Sequence, residues 1–249
     1  MKLVALACFA LATAASAGCT GHRESQVATV VMPDAAAPDR TVGDSWHESE
    51  IETNPQYNDM RDDAQITVMA LENWTVLGTT YAAARVQTDI DRQPGDGTHT
   101  AIHSVKWQRV SDDANLEERS SAGGPPQTRV YSPPCPDRHW PLRVGAAWTD
   151  ACTLHDSRGP AAGWHVQQDA HVVGSEMVSV PAGTFAAFKI VTEISSWDTP
   201  TFQRTMTTWY APAACGPVRT VWTDASGNTS TTQLLDFRCV KPVSRAAGL

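Results

Sequence analysis

Apolar and polar side chains alternate with a period of two along most of the chain. In Phe188-Lys189-Ile190-Val191-Thr192-Glu193-Ile194 one face carries Phe188, Ile190, Thr192 and Ile194 and the other Lys189, Val191 and Glu193, the pattern of a half-buried strand. Similar alternation puts Trp164, Val166, Ala170 and Val172 on one face of a second strand, Val218, Thr220 and Trp222 on a third, and Leu235, Phe237 and Cys239 on the last. Tyr81 to Thr88 and Ala101 to Val110 are rich in β-branched and aromatic residues and read likewise. Between these runs, Asp91 to Gly97, Ser120 to Pro126, Ser132 to Pro136 and Ala225 to Asn228 are Gly, Pro, Asp and Ser clusters that make turns. Asp59 to Asn73 fits either a helix or a strand, and no other stretch sustains a 3.6-residue period. The pattern predicts a mainly β fold: a curved antiparallel sheet or an open barrel or sandwich.

An internal echo suggests two related β units. Val42-Gly43-Asp44-Ser45-Trp46 and Val144-Gly145-Ala146-Ala147-Trp148 share V-G-x-x-W, and each opens a strand-rich half. Glycine supplies backbone freedom at such a turn and Trp the first core contact. The units are placed at 42–131 and 132–241, followed by a tail at 242–249.

The amino terminus reads as an export address. Met1-Lys2 is a minimal positive region, Leu3 to Ala14 is an apolar stretch too short to span a bilayer, and small residues follow. Two cleavage readings stand. Ala15-Ser16-Ala17 fits an A-x-A site, whereas Ser16-Ala17-Gly18-Cys19 resembles a lipobox with Ser where an aliphatic residue is usual, which makes Cys19 the lipidated residue after an 18-residue signal. Thr20 then fits the outer-membrane default of lipoproteins. Residues 19–41 contain two Pro and no aromatic residue and read as a flexible tether.

Six cysteines divide accordingly. Cys8 leaves with the signal and Cys19 is the lipid candidate, so Cys135, Cys152, Cys215 and Cys239 remain as an even set in the folded part. An oxidising compartment favours two disulfides over zinc, since no C-x-x-C spacing occurs. The sequential pairing, Cys135 with Cys152 and Cys215 with Cys239, closes two short hairpin-like segments and is favoured among the three connectivities.

Composition narrows the partners. The 249 residues are 41% apolar and 18% charged, with 19 basic against 27 acidic residues and no basic cluster, which argues against nucleic acid. Nine Trp are many, and indoles belong in cores or grooves. Trp148, Trp164, Phe185, Trp209, Tyr210 and Trp222 are therefore the candidates for an apolar groove or core.

Three segments of the second half carry a family resemblance. Pro141-Leu142-Arg143-Val144-Gly145-Ala146-Ala147-Trp148, Val178-Ser179-Val180-Pro181-Ala182-Gly183-Thr184-Phe185-Ala186-Ala187-Phe188-Lys189-Ile190, and Thr208-Trp209-Tyr210-Ala211-Pro212 with Gly216-Pro217-Val218 follow one another in that order. The series resembles the PLxVGxxW, VxVPAGTFxxxKI and WYAPGVGxV pattern of a family of uncharacterised bacterial envelope lipoproteins. Ala213-Ala214-Cys215 stands where that pattern has Gly-Val. The resemblance implies a β-rich exported domain related to the curved sheets of lipoprotein carriers, and implies no activity.

Catalytic chemistry finds little footing. His99 and His103 are four apart, but on a strand that spacing separates them by about 13 Å, too far for one ion. Asp89, Asp91 and Asp96 lack the offsets of a calcium loop, and His155-Asp156-Ser157 are mere neighbours in sequence. Neither a nucleotide-binding motif nor a cofactor is implied. The sequence thus predicts a non-catalytic exported lipoprotein on the periplasmic face of the outer membrane, binding a hydrophobic ligand or an envelope protein. A soluble periplasmic or secreted form and a hydrolase with an unrecognised site are the alternatives.

Overall fold

A computed structural model describes residues 29–53, 59–199 and 201–240. The signal segment, Cys19 and the tail from 241 lie outside the described residues. Among the described residues twelve antiparallel strands follow one another: β1 (Ser45–Thr53), β2 (Met60–Val76), β3 (Thr79–Pro94), β4 (Thr100–Arg109), β5 (Asn115–Ser121), β6 (Gln127–Cys135), β7 (Ala147–Asp156), β8 (Trp164–Val180), β9 (Gly183–Ser196), β10 (Gln203–Ala211), β11 (Gly216–Asp224) and β12 (Thr229–Arg238). Each pairs with its sequence neighbours, and β1 pairs with β12, Ser45 opposite Arg238 and Thr53 opposite Thr229. The sheet therefore closes into a barrel instead of remaining open, and closure removes the unpaired edges at the two ends of the meander.

Alternation sets the inward face. Phe188, Ile190 and Thr192 are buried there, as are Ala170, Val172, Val68 and Val86. The ambiguous segment Asp59 to Asn73 falls in β2, whose inward run is interrupted where Val68 and Ala70 face Val86 and Arg85. Such a bulge at Met69 moves the alternation by one residue. A second bulge, at Leu235, places Leu234 in the core where plain alternation would place Leu235. Ser132 to Pro136, expected as a turn, is largely the end of β6. Only Leu116 stands between the β5 residues paired to Val130 and Cys135, so β6 leaves its ladder with β5 there, and Pro133 and Pro134, which have no N–H to donate, fall in the unpaired stretch.

The inward face is not wholly apolar. Arg92 pairs with Asp62 at 2.7 Å and Arg129 with Asp156 at 3.2 Å, and Arg204 lies 4.2 Å above the Trp222 ring. Burial opposes the charge of Lys106, but Glu118, Tyr131 and Asp137 outweigh it and raise the ammonium's pKa. The buried Asp62 and Asp156 are tolerated because each is paired with an arginine.

The two halves match in detail. Gly43 and Gly145, both with positive φ, donate their N–H to the carbonyls of Val68 and Val172. Those residues begin equivalent bulges in β2 and β8, both 17 residues long. Further on, bulges after Trp107 and Trp209 and the left-handed residues Asp113 and Cys215 correspond in turn. The V-G-x-x-W echo is thus the turn that hands each half its long hairpin. A cut between residues 131 and 132 passes through β6, and the halves share one sheet.

Two disulfides join Cys135 to Cys152 and Cys215 to Cys239. The segment read as a tether is bound from Thr29 onward. Ala35 and Leu142 exchange backbone hydrogen bonds of 2.9 and 2.8 Å. Arg40 grips the buried Asp113 through Nε and Nη2 at 3.0 and 3.1 Å, with its guanidinium over Trp46.

Candidate functional site

The inward alternation of β8 begins with Trp164 and Val166, opposite Leu154 and Cys152 of β7 and beside Ser196 of β9. Where these strands end, Thr199 and Phe202 of the following connection complete a pocket of about 300 Å³ lined by Leu154, Trp164, Val166, Ser196, Thr199 and Phe202. Apart from two hydroxyls its wall is aliphatic and aromatic. Ser196 is buried, and its Oγ has no hydrogen-bond partner among the described residues. A buried hydroxyl left alone costs about 1–3 kcal/mol.

The loop before β8 explains why Trp164 is held in this wall. A Cβ at Gly159 would lie 2.6 Å from Cη2 of Trp164, so only glycine lets the chain cross the indole. Gly163 has φ +78 and would bring a Cβ within 2.7 Å of Thr153. On the rim, the His165 backbone N–H donates to Asp198 at 2.6 Å, and the His165 ring stacks on the exposed Trp197. That backbone hydrogen bond holds the Asp198 carboxyl below its usual range.

The remaining aromatic candidates do not gather here. Trp222 faces inward on β11 under Arg204, its indole N–H 3.4 Å from Glu50. Tyr210 is fully buried against Trp140 and Phe188 belongs to the same cluster, with half-buried Trp148 at its margin, stacked on His139. Phe185 meets Phe237 edge-on. Trp209 lies on the outer face, its indole N–H bonded to Glu176 and its ring beneath Lys189 and Arg219. Of the six, only Trp164 lines the apolar pocket.

Sequence reasoning missed an outer groove on β2 to β5. Trp74 and Trp107 stack at 4.0 Å, Trp107 donates to Glu72 at 2.9 Å, Trp74 to Glu117 at 3.2 Å, and Arg119 lies about 5 Å from both rings. Trp107, Glu72 and Arg85 repeat as Trp209, Glu176 and Lys189 in the other half. Trp107 and Trp209 stand 102 residues apart, as Trp46 and Trp148 do, which is the signal the sequence carries for this repeat; Glu72 and Glu176, 104 apart, fall out of that register.

The dismissed candidates stay apart. His99 meets Asp91 and His103 meets Asp89, each as a separate cross-strand pair. Asp156 turns inward to Arg129 and Gln127, while Ser157 accepts from the Thr128 N–H. Among the described residues no group of three or more His, Cys, Asp or Glu could hold a metal ion.

No protein-family model matches the chain, and no curated protein matches it. Solved structures resemble it in fold at low identity. A lipoprotein candidate from Parabacteroides distasonis ATCC 8503 is 14% identical, with a TM-score of 0.43 over 83% of this chain and 100% of its own. An exported-protein candidate with a YmcC-like fold from Bacteroides fragilis NCTC 9343 is 14% identical, with a TM-score of 0.48 over 82% of this chain and 100% of its own. The hypothetical lipoprotein YmcC from Escherichia coli K12 is 9% identical, with a TM-score of 0.40 over 79% and 89%.

Proposed function

We propose that this chain is an exported, lipid-anchored, non-catalytic barrel that holds a small apolar molecule bearing one hydrogen-bonding group. The observation that carries this reading is the apolar pocket with a single unpaired buried hydroxyl, Ser196 Oγ, in its wall. A ligand entering such a pocket gains by leaving water and by giving that hydroxyl a partner. Export is supported by the apolar leader ending in Ser16-Ala17-Gly18-Cys19 and by four cysteines paired in the folded part. Cys19 is the residue that would carry the acyl chains to the membrane.

Titration of the full chain with the apolar fluorophore N-phenyl-1-naphthylamine tests the pocket. Saturable enhancement at one site is expected, lost in Val166→Phe, which fills the cavity. Enhancement that never saturates, or that Val166→Phe leaves intact, would remove the pocket from the function. Ser196→Ala should spare the fluorophore, which reaches the apolar wall, and weaken a fatty alcohol of similar bulk.

A further inference from the structure

The two long strands that correspond to one another differ at one edge. β7 covers β8 to His171, with Gly145 and Ala146 extending the contact to Val172, and beyond it the segment from Thr29 lies alongside: Val30 N–H donates to the Ser175 carbonyl at 3.1 Å and Thr29 bridges Glu176 in antiparallel sense. β1 covers β2 only to Thr67, with Gly43 and Asp44 extending the contact to Val68. From Ala70 to Val76, the side of β2 away from β3 has no backbone partner among the described residues.

The matching bulges fix which groups point outward. Leu71 opposite Ala84 occupies the register position of Ser175 opposite Phe188. Leu71, Asn73 and Thr75 therefore direct their backbone N–H and C=O to the open side, as Ser175 does. Met69, Leu71 and Leu77 beside them are 44%, 47% and 68% exposed. Unpaired edges are ordinarily blunted by lysine, proline or a bulge. From Ala70 to Val76 there is neither Lys nor Pro, and the one charge, Glu72, already accepts from the Trp107 indole.

We propose that this edge pairs with the same edge of a second copy of the chain, antiparallel about a two-fold axis at Asn73. The edge is self-complementary in that register. Asn73 meets the partner's Asn73, Leu71 meets the partner's Thr75, and Glu72 meets the partner's Trp74, so the two like charges are not opposed. The three outward residues of each copy would form about six backbone hydrogen bonds across the axis. The other half shows that an extended segment fits at the equivalent place.

Cysteine cross-linking of the full chain tests the register. Asn73→Cys should give a band of doubled mass on a non-reducing gel, because directly opposed Cα atoms stand about 5.5 Å apart, within disulfide reach. Thr75→Cys should not, because its Cα would be about 13 Å from its counterpart. Light scattering should give a dimer for the unchanged chain and half that mass for Asn73→Pro, which removes an outward N–H and none that pairs with β3. Equal cross-linking at both positions, or none at either, would overturn the proposal, and this result stands even if the proline variant misfolds. A monomeric unchanged chain overturns it too. If that monomer protects the amides of Leu71, Asn73 and Thr75 from exchange, another segment or partner holds the edge.

Discussion

Glu48→Gln should stabilise the protein at about pH 8 and leave its stability unchanged near pH 4. Glu48 lies on the inward face of β1, opposite Leu234 and next along that face to Glu50. Burial, and secondarily the charge of Glu50, pushes its carboxyl from 4.5 up to about 7. At low pH the group is protonated in both folded and unfolded chains and contributes no difference. As pH rises through 4.5 the unfolded chain ionises first, so stability falls until the folded group also ionises at about 7, and above that the penalty is constant. A displacement of this size corresponds to an upper bound of about 3 kcal/mol, reduced by water reaching a part-buried carboxyl. Glutamine keeps the shape and cannot ionise. Denaturant unfolding of both chains across about pH 4 to 9 should give a stability difference that starts near zero, grows through the acid range and levels off above about pH 8. A difference that stays flat, or a variant weaker at every pH, would refute the reasoning, because Glu48 would then be charged and supported in the fold.

Replacing Arg40 by Ala should cost about 3–5 kcal/mol, because Asp113 would remain buried without its cation, and the segment from Thr29 should become sensitive to protease; unfolding midpoints and limited proteolysis read both effects. Trp209→Ala should likewise cost about 3–5 kcal/mol in denaturant unfolding, since the ring is buried between Lys189, Arg219 and the core. Cys19→Ser should move the protein from membrane to soluble fractions, because acyl chains supply the membrane affinity; fatty-acid labelling that fails to mark the unchanged chain would leave the A-x-A cut after Ala17.

Strands with one solvated face were readable, and those with both faces covered were not. Phe188 to Ile194 alternates cleanly because Lys189, Val191 and Glu193 project away from the buried row. In β3, by contrast, adjacent Ala83 and Ala84 are both buried, since the long hairpin packs on each side, and period-two reasoning has nothing to grip. Bulges at Met69, Val173 and Leu235 each change the face by one residue, and no side-chain type announces them. Closure depended on β1 meeting β12, a contact between the ends of the folded part that local pattern does not encode. The pocket was half legible: Trp164 and Val166 share a face in sequence, but Phe202 joins them only through the turn after β9. The groove at Trp74 and Trp107 depends on register across four strands, which brings together residues 33 apart.

The seam between β1 and β12 also dictates an order of assembly. On the export proposed above, the chain emerges amino terminus first and delivers β1 first and β12 last, so the hairpins from β2 to β11 can zip in sequence while β1 waits with its outer side unsatisfied. The last strand must arrive before Glu50 can accept from Ser230, or Cys239 find Cys215. A ribosome or translocase that stalls short of residue 229 would release an eleven-stranded sheet with two raw edges, a species built to aggregate or to be degraded, and the final disulfide then acts as the latch recording that the whole barrel has emerged.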